Sequence, residues 1–176
     1  MKRYGKNLAF QLLGCVALIF LASGAAQSAE PKILGTFKNW SAYLLVENKD
    51  RICYLHGGPG KSAGKYKKRG DTYMQVTHRA GAEARNEVSV TAGYTYKKDS
   101  AVTLTIDGKK FVLFTHANTA WAGEENPDDK LVAAMRAGHS MVVEGTSSRG
   151  TATVDSYSLV GFTAAHNAIN KACGMK

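Results

Sequence analysis

The sequence predicts an all-β fold: an antiparallel β-sandwich of about eight strands with a short inserted helix and a short C-terminal helix. Most of the chain after residue 30 consists of short segments rich in β-branched and aromatic residues, separated by turn signals. Asp107-Gly108 marks a tight hairpin, because these residues tolerate positive φ angles. Apolar residues recur at helical spacing in only two places. Short strands joined by turns favour an antiparallel sandwich or barrel.

Eight segments carry the strand pattern. The alternation of side chains is clearest near the C-terminus, where Val154, Ser156 and Ser158 share one face and Asp155 and Tyr157 the other. We find no internal repeat and no linker, so residues 30–176 are predicted to form a single domain. The predicted strands are 36–46, 51–55, 72–79, 86–94, 101–107, 110–115, 140–147 and 153–161.

Two segments predict helices. In the first, Pro127 and two following acids suit a helix N-terminus, and Gly138 is placed to end the helix. In the second, Thr163 is the expected N-cap and Gly174 the expected stop. Its apolar face of small residues would let the helix lie close to a sheet and point Cys173 inward. The residues at helical spacing are Leu131, Val132 and Met135 in the first helix, and Ala165, Ala168, Ile169, Ala172 and Cys173 in the second.

Residues 1–29 have the pattern of a secretory signal peptide. Lys2, Arg3 and Lys6 precede an almost wholly apolar stretch, and small residues follow, with cleavage expected after Ala29. The alternatives are a retained membrane anchor and lipidation at Cys15, although the strongest apolar run follows that cysteine rather than preceding it. We therefore expect an exported protein with no stable membrane span after cleavage. The expected location is the periplasm, with the outer-membrane surface or secretion as the further options.

The mature chain is basic. Cleavage would leave 20 basic and 14 acidic residues, a net charge of +6. Such a domain attracts anionic partners, and for an exported protein these are an envelope component or the host-cell surface rather than nucleic acid. The alternative is that the charge serves only to keep the domain solvated.

Only Cys53 and Cys173 follow the expected cleavage site. In an oxidising compartment an isolated pair is more often bridged than free. Closing a loop this long would stabilise the fold by roughly 4–5 kcal/mol in the chain-entropy description. A reactive thiol beside His56 or His166 is the competing interpretation.

Short sequence pieces spread over the mature chain carry a family resemblance. They are Gly35-Thr36-Phe37 with Trp40, Cys53-Tyr54, Arg69-Gly70-Asp71, Val76-Thr77, Asn86-Glu87-Val88, Ala92-Gly93-Tyr94, Ile106-Asp107-Gly108, Ala120-Trp121-Ala122, Gly145-Thr146-Ser147, Arg149-Gly150-Thr151, Asp155-Ser156-Tyr157-Ser158-Leu159, Gly161-Phe162, Ala164-Ala165 and Cys173. In order and spacing they resemble the invasion-associated locus B family of exported bacterial proteins. The resemblance implies a β-sandwich in the periplasm or at the outer membrane, linked to host-cell entry in pathogenic members. It implies no catalytic residues and no cofactor.

A run of cations between the second and third predicted strands is the candidate anion site. It has no acid before Asp71, and on a glycine-rich loop its cations would spread to match phosphates or sulfates. The alternative is a solvated loop with no ligand. The candidate residues are Lys61, Lys65, Lys67, Lys68 and Arg69.

Three local motifs invite other functions. His56-Gly57-Gly58-Pro59-Gly60 resembles an oxyanion-hole segment, but Gly138-His139-Ser140-Met141-Val142 lacks the second glycine of a nucleophile elbow. Gly60-Lys61-Ser62 ends like a phosphate-binding loop, without the first glycine of that motif. Arg69-Gly70-Asp71 is a tripeptide that integrins recognise, yet it abuts a predicted strand, where Asp71 more simply closes a turn.

The remaining chemistry-bearing residues predict structural roles. The five histidines have no metal-ligand spacing, so we expect no metal site. Asp155 could complete a triad with Ser156 or Ser158 and a histidine, but Asp155 and Ser156 would face opposite sides of a strand and could not meet directly. The aromatic residues Trp40, Trp121 and Tyr157 are predicted core anchors. The sequence thus favours a non-catalytic exported module. The second hypothesis is an envelope-maintenance protein that binds an anionic glycan or lipid, and the third is a hydrolase.

Overall fold

The computed structural model of the protein describes residues 30–82, 84–123 and 127–175, and the predicted signal peptide lies outside these ranges. Eleven strands and two α-helices lie within them. The strands are β1 Lys32–Phe37, β2 Trp40–Glu47, β3 Asp50–Gly57, β4 Lys61–Gly64, β5 Tyr73–Arg79, β6 Ala84–Thr91, β7 Ala101–Ile106, β8 Lys109–His116, β9 Thr119–Ala122, β10 Ser140–Thr146 and β11 Ala152–Ser158. The helices are α1 Asp128–Ala137 and α2 Phe162–Cys173.

All eleven strands pair antiparallel in the order β1-β2-β3-β5-β6-β9-β8-β7-β10-β11-β4. The sheet folds over so that its distant strands approach one another. The indole Nε1 of Trp40 in β2 donates to the carbonyl of Ser158 in β11 at 3.0 Å, and Gly60 N–H donates to the Ser156 carbonyl at 2.9 Å. Buried side chains from both halves, such as Leu55 and Leu104, then share one core. The predicted all-β, sandwich-like class is confirmed.

The strand count exceeds the predicted eight for three reasons. The predicted strand 36–46 is two strands, because the chain reverses at Lys38, whose φ is +58°. Segment β4 lies within the stretch interpreted as a loop, and its pairing with β11 could not be read from local pattern. The short strand β9 was not predicted. Alternation gives the period of a strand but does not show where a strand turns or which distant strand it pairs with.

The first helix follows its prediction closely. Leu131, Val132 and Met135 are buried, and Gly138 follows the last helical residue. At its start the Asp128 carboxylate accepts the backbone N–H of Val88 at 2.8 Å, which fixes α1 against β6. The helix therefore closes one side of the core.

The second helix begins two residues earlier than predicted. The N-cap is Gly161, with φ of +94°, and not Thr163, whose hydroxyl donates instead to the Arg136 carbonyl at 3.0 Å. Glycine is required at 161 because the backbone there lies against Phe37, where a Cβ would collide. Gly174 ends the helix in the left-handed conformation, as predicted.

A disulfide between Cys53 of β3 and Cys173 at the end of α2 fastens this helix to the sheet. Two further contacts support it: Arg51 Nη1 donates to the Ala172 carbonyl at 3.1 Å, and the rings of Trp40 and Phe162 meet edge-on at 5.0 Å. The cysteines are therefore bridged, and the reactive-thiol interpretation is wrong. A bridged pair fits an oxidising compartment.

Two buried histidines join the helices to the sheet. His78 of β5 accepts the Asn86 N–H through Nδ1 at 3.0 Å, so its Nε2–H donates to Asn170 Oδ1 at 2.6 Å. His166 of α2 reaches Asn86 Oδ1 at 2.8 Å, and Asn86 Nδ2 donates to Asp129 at 2.6 Å. Both imidazoles are neutral in this arrangement, because a second proton would face a donor on each ring: the Asn86 N–H on His78 and the Asn170 amide, at 3.4 Å, on His166.

Removing the disulfide is expected to destabilise the fold. The double variant Cys53→Ala, Cys173→Ala should lose about 2–5 kcal/mol of unfolding free energy, because the unfolded chain regains the freedom that the bridge removes. Urea titration followed by circular dichroism measures this, with the wild type under reducing conditions as the matched comparison. A urea midpoint equal to that of the oxidised wild type in both samples would show that the bridge does not stabilise the fold.

The histidine network predicts a pH dependence of stability. Burial lowers the pKa of both imidazoles, that of His166 to about 4, with the neighbouring His78 and Arg136 as smaller causes. The unfolded chain therefore binds more protons than the folded one between pH 6.5 and 4. The stabilisation is fully present above pH 6.5 and is lost as the pH falls towards 4.

The variant His166→Gln should flatten this pH dependence, because glutamine keeps a donor for Asn86 but does not titrate. Urea midpoints at pH 7 and pH 4.5 give the comparison, and His116→Gln, at an exposed position, serves as control. If the urea midpoint fell by the same amount between pH 7 and pH 4.5 in the wild type and in His166→Gln, the assignment of His166 as a pH-sensitive group would be contradicted.

Candidate functional site

A cleft of about 630 Å³ lies between the segment that follows β4 and the hairpin between β10 and β11. This volume is in the range of small-molecule sites. Its lining is rich in basic side chains and hydroxyl groups and contains no acidic residue. The lining residues are Lys65, Tyr66, Lys67, Lys68, Arg69, Gly70, Gly93, Tyr94, Thr95, Ser147, Ser148, Arg149, Thr151 and Thr153.

Backbone hydrogen bonds between separate segments hold the walls of the cleft. Gly70 N–H donates to the Gly93 carbonyl at 2.9 Å, and Ser148 N–H donates to the Thr95 carbonyl at 2.8 Å. The Tyr94 hydroxyl pairs with Thr153 Oγ1 at 2.6 Å. Both walls are thereby fixed to the 93–95 segment that forms the floor.

Arg69 forms the buried centre of one wall. Its guanidinium makes two hydrogen bonds to the Asp155 carboxylate, at 2.7 and 2.6 Å, and its Nε donates to the Ala92 carbonyl at 2.6 Å. The guanidinium carbon lies 5.6 Å from the ring centre of Tyr66 and 5.0 Å from that of Tyr94. Burial alone would lower the pKa of Arg69, but the hydrogen bonds and charge of Asp155 outweigh it and raise this pKa. Arg69 is therefore a structural cation.

The five predicted anion-site residues thus fall into three groups. Lys65, Lys67 and Lys68 line the cleft, are exposed, and make no hydrogen bond or ion pair with the described residues. Arg69 lines it but directs its donors at Asp155 and Ala92. Lys61 lies outside the lining, on β4 opposite Ser156. A ligand in the cleft would meet the three central lysines.

Arg149 is the basic residue that sequence reasoning missed. It stands in the β10–β11 turn and lines the cleft together with the lysines, about 80 residues away in sequence. The pairing of β4 with β11 and the backbone hydrogen bonds of both walls to the 93–95 segment bring these segments together. The hydroxyls of Thr95, Ser148 and Thr151 join the lining in the same way, and none has a hydrogen-bond partner in the part of the chain that is described.

The oxyanion-hole and phosphate-loop motifs have structural explanations. A Cβ at Gly57 would lie 2.9 Å from the Trp40 ring, so this glycine permits close packing rather than anion binding. The ring of His56 lies 5.2 Å from that of Tyr43. Lys61 lies on a strand, not on a loop that opens a helix. Neither motif has the local structure that its chemistry needs.

The integrin interpretation of Arg69-Gly70-Asp71 is wrong for this structure. Only 6% of the Arg69 side chain is exposed, and Asp155 holds it. A receptor would have to remove this arginine from a buried ion pair.

A second set of polar residues, Asp107, His139 and Ser140, superficially resembles a triad. The Asp107 carboxylate accepts the N–H groups of both other residues and the Ser140 hydroxyl at 2.8–3.0 Å, which lowers the Asp107 pKa. The serine proton is thus directed at the carboxylate and not at a histidine base, and His139 is 91% exposed. This arrangement joins the β7–β8 turn to the start of β10.

Two of the three predicted aromatic anchors lie in the core. Trp40 and Tyr157 are buried, whereas Trp121 is only partly buried, on the face of the sheet that carries the exposed Phe114 opposite it. Among the described residues no cluster of His, Cys, Asp and Glu has the arrangement of a metal site. No described helix is long and apolar enough to cross a membrane.

The fold and the cleft define the class: an all-β, sandwich-like protein tied by a disulfide and carrying a basic cleft. The family model for "Invasion associated locus B (IalB) protein" matches residues 40–170, and the chain belongs to this family. The crystal structure of invasion associated protein B from Bartonella henselae is similar, with a TM-score of 0.53 and 18% identity over 78% of this chain and 95% of that one. At this identity the similarity concerns the fold. No curated protein matches the chain.

The buried ion pair predicts an asymmetric response to charge removal. Asp155→Asn should cost about 3–5 kcal/mol of unfolding free energy, because it leaves the Arg69 charge buried without compensation. Glu87→Gln, which removes an acid from the exposed Arg79 pair at 3.6 Å, should cost less than about 1 kcal/mol. Chemical denaturation measures both, and equal costs would show that Arg69 is solvated.

Proposed function

We propose that this protein is a non-catalytic exported binding protein of the invasion-associated type, which takes an anionic component of the envelope or of the host-cell surface into its basic cleft. The observation that carries the proposal is the combination of Lys65, Lys67, Lys68 and Arg149 around one cleft without an acid. Cations that are not neutralised by protein carboxylates supply an attractive field for a phosphate, sulfate or carboxylate ligand.

Export is part of the proposal. The predicted signal peptide and the Cys53–Cys173 bridge support it, since disulfides persist in oxidising compartments. We place the mature protein in the periplasm, with the outer-membrane surface or secretion as further locations. In pathogenic members of the family, a surface location would bring the cleft into contact with host anions.

A binding role suits the cleft better than catalysis. Its lining contains lysines, arginines, tyrosines and hydroxyls but no histidine, cysteine or carboxylate that would act as a general base there. The serine and histidine next to each other at 139–140 both serve the Asp107 turn. No set of residues in the cleft lining therefore supports the hydrolase alternative.

The proposal is tested by neutralising the free lysines. The triple variant Lys65→Ser, Lys67→Ser, Lys68→Ser should elute from immobilised heparin and immobilised lipopolysaccharide at clearly lower salt than the wild type. The physical reason is the loss of three cation contacts from one cleft. Arg69 is left intact, because its replacement would damage the fold rather than the ligand contacts.

The matched control removes the same net charge elsewhere. Lys32→Ser, Lys110→Ser, Lys130→Ser changes three exposed lysines outside the cleft. The two triple variants have the same net charge, so a specific site predicts a large shift for the first and a small one for the second. Equal shifts would mean that retention follows net charge alone, and the proposed function would be wrong.

A further inference from the structure

The cleft offers a ligand three kinds of contact, from cations, from an aromatic ring and from hydroxyl groups. A single small anion would need only the first. Its cations are distributed over both walls, with Lys65, Lys67 and Lys68 on one side and Arg149 on the other. An inorganic anion would be held by cations converging on one point. Cations spread around a volume of about 630 Å³ instead match several anionic groups carried on an extended ligand.

An aromatic surface and free hydroxyls accompany the cations. Tyr66 is 37% exposed at the cleft, while Arg69 is positioned over its ring. Its exposed part offers the apolar, weakly negative surface on which the C–H face of a sugar ring packs. Thr95, Ser148 and Thr151 present hydroxyls without partners in the described ranges, and such groups both donate and accept hydrogen bonds.

A bilayer surface fits the same site poorly. Among the described residues, the large exposed apolar side chains are Ile33, Val46, Tyr66, Val112, Phe114, Val154 and Val160, and of these only Tyr66 lines the cleft. A peripheral membrane site would need apolar side chains to enter the headgroup region beside its cations. A concave cleft with polar walls also cannot lie flat on a lipid surface.

We propose that the cleft binds an acidic oligosaccharide: a saccharide chain whose sulfate, phosphate or carboxylate groups pair with Lys65, Lys67, Lys68 and Arg149 while one sugar ring packs on Tyr66. This rests on the proposed function and specifies its ligand. The shared chemistry has two sources, a host-type sulfated glycan and the phosphorylated saccharide core of the bacterial envelope. Rigid walls tied through Arg69 and the 93–95 segment reduce the ordering cost of binding.

The experiment measures the affinity of the oxidised protein for four probes by calorimetry at fixed ionic strength. The probes are a heparin-derived hexasaccharide, a delipidated lipopolysaccharide core oligosaccharide, inorganic triphosphate, and phosphatidylcholine vesicles that contain phosphatidylglycerol. At least one oligosaccharide should bind more tightly than triphosphate or vesicles, and which one binds identifies the source. The variants are Arg149→Gln, Tyr66→Ala, Tyr66→Phe and, as a control outside the cleft, Lys130→Gln.

Arg149→Gln should weaken oligosaccharide binding about tenfold, which corresponds to the loss of one charge-assisted contact of about 1.4 kcal/mol. Tyr66→Ala should weaken it about fivefold through loss of ring packing, Tyr66→Phe, which keeps the ring, should weaken it less, and Lys130→Gln should keep wild-type affinity. Thermal unfolding of each variant shows whether Arg69 has been disturbed, since Tyr66→Ala removes the ring and Tyr66→Phe removes only the hydroxyl that hydrogen-bonds Arg69.

The outcomes separate this inference from the proposed function. Binding of triphosphate or vesicles that depends on Arg149 but not on Tyr66, with no preference for an oligosaccharide, would overturn the saccharide assignment and keep an anion site. Affinities for every probe that do not change in Arg149→Gln or in the triple lysine variant would overturn both. Loss of affinity in Tyr66→Phe equal to that in Tyr66→Ala would show that the hydroxyl, and not ring packing, makes the contact.

Discussion

The buried ion pair of Arg69 with Asp155 determines the shape of the cleft. An arginine and an aspartate with 6% and 3% of their side chains exposed are stable only when nearly all donors and acceptors are matched. Here the two carboxylate oxygens, the Ala92 carbonyl and two tyrosine rings satisfy the guanidinium from several directions. The segment after β4 is therefore fixed to β11 and to the floor of the cleft. The pair thus fixes the segment that carries the three lysines, together with the Gly70–Gly93 backbone hydrogen bond.

Two interactions of different chemistry, the disulfide and the buried ion pair, stabilise two different regions of the same sheet. The disulfide fixes α2 over β3, and the histidine–asparagine network beside it joins that helix to β5 and β6. The ion pair acts on the strands at the other end of the sheet order, where β4 pairs with β11. Because the two buried histidines belong to this network, their protonation in acid weakens a region that does not line the cleft. The histidines that make stability pH-dependent are thus separate from the cations that line the cleft.

Local sequence pattern predicted the features that depend on neighbouring residues. The alternation of side chains predicted most strands, and Pro127 and Gly138 predicted the limits of α1. The cation run indicated one wall of the cleft. Features that depend on distant pairing were missed. Nothing in the run distinguishes Arg69 from its lysine neighbours, since its partner Asp155 lies 86 residues away. Arg149 was missed for the same reason, because its turn reaches the lysines through the pairing of β4 with β11 and through backbone hydrogen bonds to the 93–95 segment. The early start of α2 was missed because glycine at 161 is required by the close approach of Phe37, which is distant in the sequence.

The separation between buried and exposed cations also explains how one fold can serve different ligands. Exchanging Arg69 or Asp155 changes a buried charge and costs stability, whereas exchanging an exposed lysine alters the ligand field at little structural cost. A chain of this fold can therefore change the charge pattern of its cleft while the cleft itself persists. Similarity of fold to a relative at 18% identity then establishes the framework but not the ligand. Under our proposal the ligand is set by Lys65, Lys67, Lys68 and Arg149, because these residues line the cleft and form no ion pair within the described part of the fold.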